Sequence, residues 1–120
     1  MKISPKDFIK ARTILGLTQT QVGIVLGNIS PGRIGYWERS QKDTLPKIKD
    51  LDSNTINQFI QLAEHLVDFF PDKADRVRFL QAPSLVLRGK SPFDALMKDP
   101  PNGLHEVVQF LTRLAHGIFT

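Results

Sequence analysis

The chain contains no cysteine, which excludes a disulfide framework and a thiolate metal site. No apolar run approaches the roughly 20 residues that cross a bilayer. The first residues lack the signal-peptide order of basic start, apolar stretch and small-residue cleavage site, so a cytoplasmic protein is expected. No glycine-rich phosphate loop follows a strand-like run. His65, His105 and His116 do not stand at metal-ligand spacing on one helix. Asp72, Asp75 and Glu106 read as helix-start and surface carboxylates. These absences argue against an enzyme and against a bound cofactor or metal. No internal repeat and no low-complexity tract is visible.

What is present suits a globular chain. With 120 residues there is room for one domain or two very small ones. Hydrophobic residues make up 41% and charged residues 23%, a balance that favours a packed core over disorder. The formal net charge is +4 and the isoelectric point about 9.6. That charge is unevenly placed. Residues 1–50 hold nine Lys and Arg against four Asp and Glu, whereas residues 51–120 hold seven against eight. The basic part is therefore N-terminal, as expected if only that part meets phosphate.

The hydrophobic periodicity is helical throughout, and an all-α fold is expected. Ser4-Pro5 opens a first helix, with Asp7 in its first turn and an inner face of Phe8, Ala11, Ile14 and Leu15. Gly16 stops it. Thr18 and Gln21 have the spacing of a capping box, and Val22, Val25 and Leu26 give the second helix its apolar side, with Gly27 as its end. Ser30-Pro31 opens a third helix, anchored inward by Ile34 and Trp37. Residues 40–53 read as a polar connector. A longer helix then carries Ile56, Phe59, Ile60, Ala63, Leu66, Val67 and Phe70 at three- and four-residue steps. The spacing predicts a helix over 72–81 burying Ala74, Val77 and Leu80. Leu85-Val86-Leu87 could be extended. Ser91-Pro92 starts a helix with Phe93, Leu96 and Met97. Residues 100–103 read as a loop, and a last helix carries Leu104, Val107, Val108, Leu111, Leu114, Ala115 and Ile118. Two units follow from this pattern, residues 1–50 and residues 51–120.

The second and third helices have the composition of a helix-turn-helix. Gly23 meets the need for a small residue where the second helix of the pair crosses the first. Gly27 supplies a turn residue tolerant of positive φ. The run Gly16-Leu17-Thr18-Gln19, Val22-Gly23, Leu26-Gly27, Ile29-Ser30, Ile34 and Trp37-Glu38-Arg39 resembles the Cro/cI-type (XRE) DNA-binding family over about residues 5–42. The family spacing from turn glycine to serine is one residue shorter, so Asn28 looks like an insertion that lengthens the turn. On this geometry Gln19 and Thr20 hold phosphate at a helix N-terminus, with Ser30 at the head of the next helix. The outward positions of that helix include Pro31, Gly32, Arg33, Gly35 and Tyr36. Direct readout falls to Arg33, which can grip guanine bidentately, and to Tyr36. Arg39 and Lys42 are expected on phosphate. Trp37 is read as core, and Glu38 as the partner of a nearby basic residue.

The second half carries its own pattern: Phe79-Leu80, Pro83, Leu87-Arg88-Gly89-Lys90-Ser91-Pro92, Leu96, Gly103, Val107, Leu111, Arg113 and His116-Gly117. Over about residues 55–120 this resembles the toxin-binding domain of the Xre/MbcA/ParS antitoxins, with Phe79 where tryptophan is usual. The resemblance implies a Cro/cI-like helix-turn-helix followed by a small helical toxin-binding domain. It implies an antitoxin that covers the active site of a RES- or ParT-type toxin, which consumes NAD or transfers ADP-ribose, and that represses its own operon. From the residues themselves, Gly89 permits an unusual backbone angle that leaves Arg88 and Lys90 flanking an exposed turn. Gln109, Arg113 and His116 lie on the polar side of the last helix, and Phe119 is a candidate anchor in a partner. A homodimer is expected, since two half-sites specify more sequence than one short helix can. The alternative reading is a stand-alone XRE-family regulator with a C-terminal dimerisation domain. A third is a protein-interaction module with a vestigial helix-turn-helix.

Overall fold

Among the described residues seven helices follow one another: α1 Pro5–Leu15, α2 Gln19–Val25, α3 Pro31–Arg39, α4 Ser53–Phe69, α5 Lys73–Gln81, α6 Pro92–Lys98 and α7 Asn102–Ala115. The computed structural model describes residues 3–41 and 53–116, and no strand occurs among them. Most helix starts are fixed locally. The Ser4 hydroxyl accepts the Asp7 amide while the Asp7 carboxylate accepts the Ser4 amide. Thr18 and Gln21 make the same reciprocal pair. Ser30, Asp72 and Ser91 cap α3, α5 and α6. Each such cap is worth about 1 kcal/mol, because it satisfies an amide that the helix cannot. At the other end of α4, Arg76 Nη1 donates to the Phe70 and Pro71 carbonyls at 3.0 and 2.9 Å.

The core runs without a break across the residue-50 boundary. Phe8 of α1 is fully buried and meets Trp37 edge-on at 5.8 Å on one side and Phe59 of α4 at 5.3 Å on the other. α1 packs on α3, α4 and α5, and α2 packs on α6. Around α4, Leu62, Ala63 and Leu66 close the centre against α1 and α7. A second aromatic group links three helices, with Phe79 stacked on Phe70 at 5.1 Å and facing Phe110 at 6.0 Å. Phe79 is thus a half-buried core residue.

Several local expectations are corrected. α5 buries Leu80 and half-buries Phe79, while Ala74 and Val77 face solvent; α5 meets its neighbours along another edge than its alanine and valine. Residues 84–90 form consecutive turns rather than an extended run, and only Leu87 of the apolar triplet is buried. Asn102 and Gly103, expected in a loop, already belong to α7. The connector was expected over 40–53. Within it, Ser40 and Gln41 follow α3 and Ser53 opens α4; residues 42–52 lie outside the described residues. Ile118 lies outside them too.

Candidate functional site

The α2–α3 pair is joined by a turn made possible by two consecutive left-handed residues, Gly27 at φ 108° and Asn28 at φ 68°. Asparagine tolerates this region better than most non-glycine residues. The chain then folds back onto α2. Ile29 N–H donates to the Gly23 carbonyl at 2.8 Å. A Cβ on Gly23 would overlap the Ile29 carbonyl oxygen. The small residue is therefore needed first for the turn backbone, with Ile34 of α3 also packed within 3.8 Å of that position.

Behind α3 a polar group locks the pair to α1. Arg12 Nε and Nη2 donate to the two Glu38 oxygens at 2.6 and 2.9 Å. Gln19 Nε2 donates to Glu38 Oε1 at 3.0 Å. The expected basic partner of Glu38 is thus Arg12. Gln19 reaches Glu38 over Gly35, whose open side is covered by the Gln19 amide and the Arg39 guanidinium. Gly35 is buried, so its expected outward position is corrected. Gln19 is half-buried and engaged, which leaves its backbone amide and its neighbour Thr20 at the start of α2. Thr20, Ser30, Arg33, Tyr36 and Arg39 are exposed. Tyr36 stands 61% open, and with Arg39, Ser40 and Gln41 it lines a shallow depression at the end of α3. Lys42 lies outside the described residues. The exposed side of α3 is therefore basic and carries the two side chains expected to read bases.

A second polar surface forms in the C-terminal half. Arg88 and Gly89 adopt φ 60° and 82°, and the Arg88 guanidinium lies 3.4 Å from Glu106 of α7. One residue before Glu106, His105 is held by Gln58 of α4 at 2.7 Å and by Gln109 at 3.0 Å. Four- and three-residue steps carry the stripe on through Arg113 to His116, both exposed. Gln109, Arg113 and His116 are thereby set along one helix, with Arg88 of the turn reaching Glu106 beside them and Lys90 half-buried at the base of the turn. Phe119 lies outside the described residues. Sequence reasoning passed over Gln58 and read His105 and Glu106 only as surface residues, because Gln58 of α4 and Arg88 of the turn, which meet them, lie in distant segments. It also missed Leu85 and Val86, which it read with Leu87 as one apolar run. Among the described residues, no group of three or more His, Asp or Glu is placed to hold a metal. No described helix is long and apolar enough to cross a membrane.

Residues 65–117 match the family model of the antitoxin Xre/MbcA/ParS C-terminal toxin-binding domain. No curated protein matches the chain. A chain in the crystal structure of the M. tuberculosis MbcT-MbcA toxin-antitoxin complex shares the fold, with a TM-score of 0.66 at 20% identity over 97% of this chain and 96% of that one. The all-α architecture and the resemblance read from the residues agree with both findings: residues 65–117 match the Xre/MbcA/ParS toxin-binding domain, and the chain as a whole shares its fold with a chain of that toxin-antitoxin complex.

Proposed function

We propose that the chain is the antitoxin of a type II toxin–antitoxin system. Residues 51–120 bind and cover the active site of a RES- or ParT-type toxin that consumes NAD or transfers ADP-ribose. Residues 1–50 bind the protein's own operator and repress the operon, as a homodimer. The observation that carries this reading is the toxin-binding domain at residues 65–117, joined through one core to a helical pair whose open face is basic. The arrangement suits a self-regulating inhibitor, since a partner seated on α7 leaves α3 free for DNA.

The toxin half is tested by growth. The protein encoded by the adjacent open reading frame should arrest cells when expressed alone, and co-expression of the full chain should relieve the arrest. Because the core spans both halves, truncation would unfold the protein. The informative variant replaces the exposed Gln109, Arg113 and His116 together by alanine and should lose most of the rescue. A neighbour that is harmless alone and does not co-purify would remove this reading.

The DNA half is tested on a fragment carrying the protein's own promoter. Binding should weaken steeply as salt rises, because phosphate contacts release counterions. Replacing Arg33 and Tyr36 together by alanine should cost about 1–3 kcal/mol, or about ten- to a hundredfold in affinity. Unchanged affinity would show that α3 does not read the bases.

A further inference from the structure

Leu85 is 96% exposed, and Val86 beside it is 45% exposed. A single exposed leucine is ordinary; an apolar pair on a locked turn is not. Six hydrogen bonds hold the segment Ser84–Lys90. Ser84 N–H donates to the Lys90 carbonyl and closes it, while the Leu87 and Gly89 amides converge on the Ser84 carbonyl. The Arg88 amide donates to Leu85, the Lys90 amide to Leu87, and the Val86 amide to the Ser84 hydroxyl. Buried Leu87 pegs this turn to the core. The tip is therefore presented in one conformation, so little ordering entropy remains to be lost on binding. Beside it Arg88 sits at φ 60°, where glycine or asparagine would be less strained. Its link to Glu106 is long, at 3.4 Å, and exposed, so the guanidinium is available to another carboxylate.

We propose that the Leu85–Val86 tip is the apolar anchor of the toxin contact, entering a pocket whose rim carries carboxylates that meet Arg88 and Lys90. This rests on the reading of the chain as an antitoxin. The charge pattern selects the occupant. Phosphate would match the two cations but offers nothing to a protruding leucine. A second copy, docking tip to tip across a two-fold axis, would bring the same cations face to face. A protein pocket with an acidic rim satisfies both parts, and the turn lies inside the matched toxin-binding segment.

The test is capture of the tagged product of the adjacent open reading frame by the full chain, followed by measured affinity. Replacing Leu85 and Val86 together by aspartate should weaken binding by about thirty- to a hundredfold, while Leu85→Met should stay close to wild type. Arg88→Asn should keep or raise Tm yet weaken binding by about tenfold. The Leu85/Val86 aspartate variant should stay folded at the assay temperature, checked by its melt, because Leu85 supports nothing beneath it and Val86 is 45% exposed. Affinity within about threefold of wild type in that folded variant would overturn the anchor and leave the antitoxin reading standing. Failure of the wild-type chain to capture the neighbour would overturn both. Binding to anionic phospholipid vesicles that the aspartate variant loses, with toxin affinity unchanged, would reassign the tip to a membrane and overturn the proposal.

Discussion

Gly103→Ala is expected to destabilise the protein by about 3 kcal/mol or more, lowering Tm by on the order of 10 °C in a chain of this size. The reason is steric. A Cβ at this position would overlap the Ala95 carbonyl oxygen, lie 2.5 Å from its carbon and 3.1 Å from the Leu96 nitrogen. All three are backbone atoms of α6, so no side chain can rotate out of the way. The helices must separate, and the seam between Leu96, Leu104 and Val107, all fully or nearly fully buried, opens with them. Alanine's better helix propensity returns only about 1 kcal/mol, too little to offset the clash. Gly32 provides the control, because it lies within α3 and nothing stands within 4 Å of a Cβ there. Gly32→Ala should be neutral or slightly stabilising. Thermal melts followed by circular dichroism measure both. A Gly103→Ala protein melting within about 2 °C of wild type would show that α6 and α7 do not pack as closely as described.

Glu38→Ala should carry the second large cost, about 3 kcal/mol, read from denaturant unfolding. The Glu38 side chain is 8% exposed and that of Arg12 25% exposed. Removing the carboxylate strands a guanidinium that is largely out of water. It also releases Gln19, whose amide uses the same oxygen. Arg12 keeps only its bond to the Leu17 carbonyl at 3.2 Å. The exposed pairs Arg78–Asp75 and Arg88–Glu106 belong to the class of surface bridges worth less than about 1 kcal/mol. A double-mutant cycle separates the interaction from the cost of an unpaired charge. Replacing Arg12 by methionine and Glu38 by leucine together should restore much of the lost stability, and the coupling should exceed about 1 kcal/mol. Coupling near zero would mean that the pair does not hold α3 against α1. The proposed DNA face is affected too, because Arg33, Tyr36 and Arg39 ride on the helix that Glu38 fastens.

Both predictions mark where sequence reading reaches its limit. The helix starts were legible because a cap is a local device. Ser4 with Asp7, Thr18 with Gln21 and Ser91 with Asp94 each act across three residues. Arg12 and Glu38 stand 26 residues apart, and the need for a partner could be read without the partner's identity. Gly103 was legible as part of a family pattern, but its physical reason, the Ala95 carbonyl, belongs to another helix. Leu85, Val86 and Leu87 show the same limit in the candidate partner surface. Three adjacent apolar residues look alike in a string, and only the hydrogen bonds closing Ser84 to Lys90 turn one inward and leave two outside.

The sequence by itself determined the helical class, the capped boundaries, the basic N-terminal half and the family resemblance of the C-terminal half. Each rests on composition or on spacing within a few residues, where one turn of helix fixes the geometry. The tertiary structure decided which side of each short helix is buried, that Gly35 lies inside and Leu85 outside, and that one core crosses both halves through Phe8 and Phe59. Those outcomes depend on contacts between distant segments, whose energies exist only once the helices have packed.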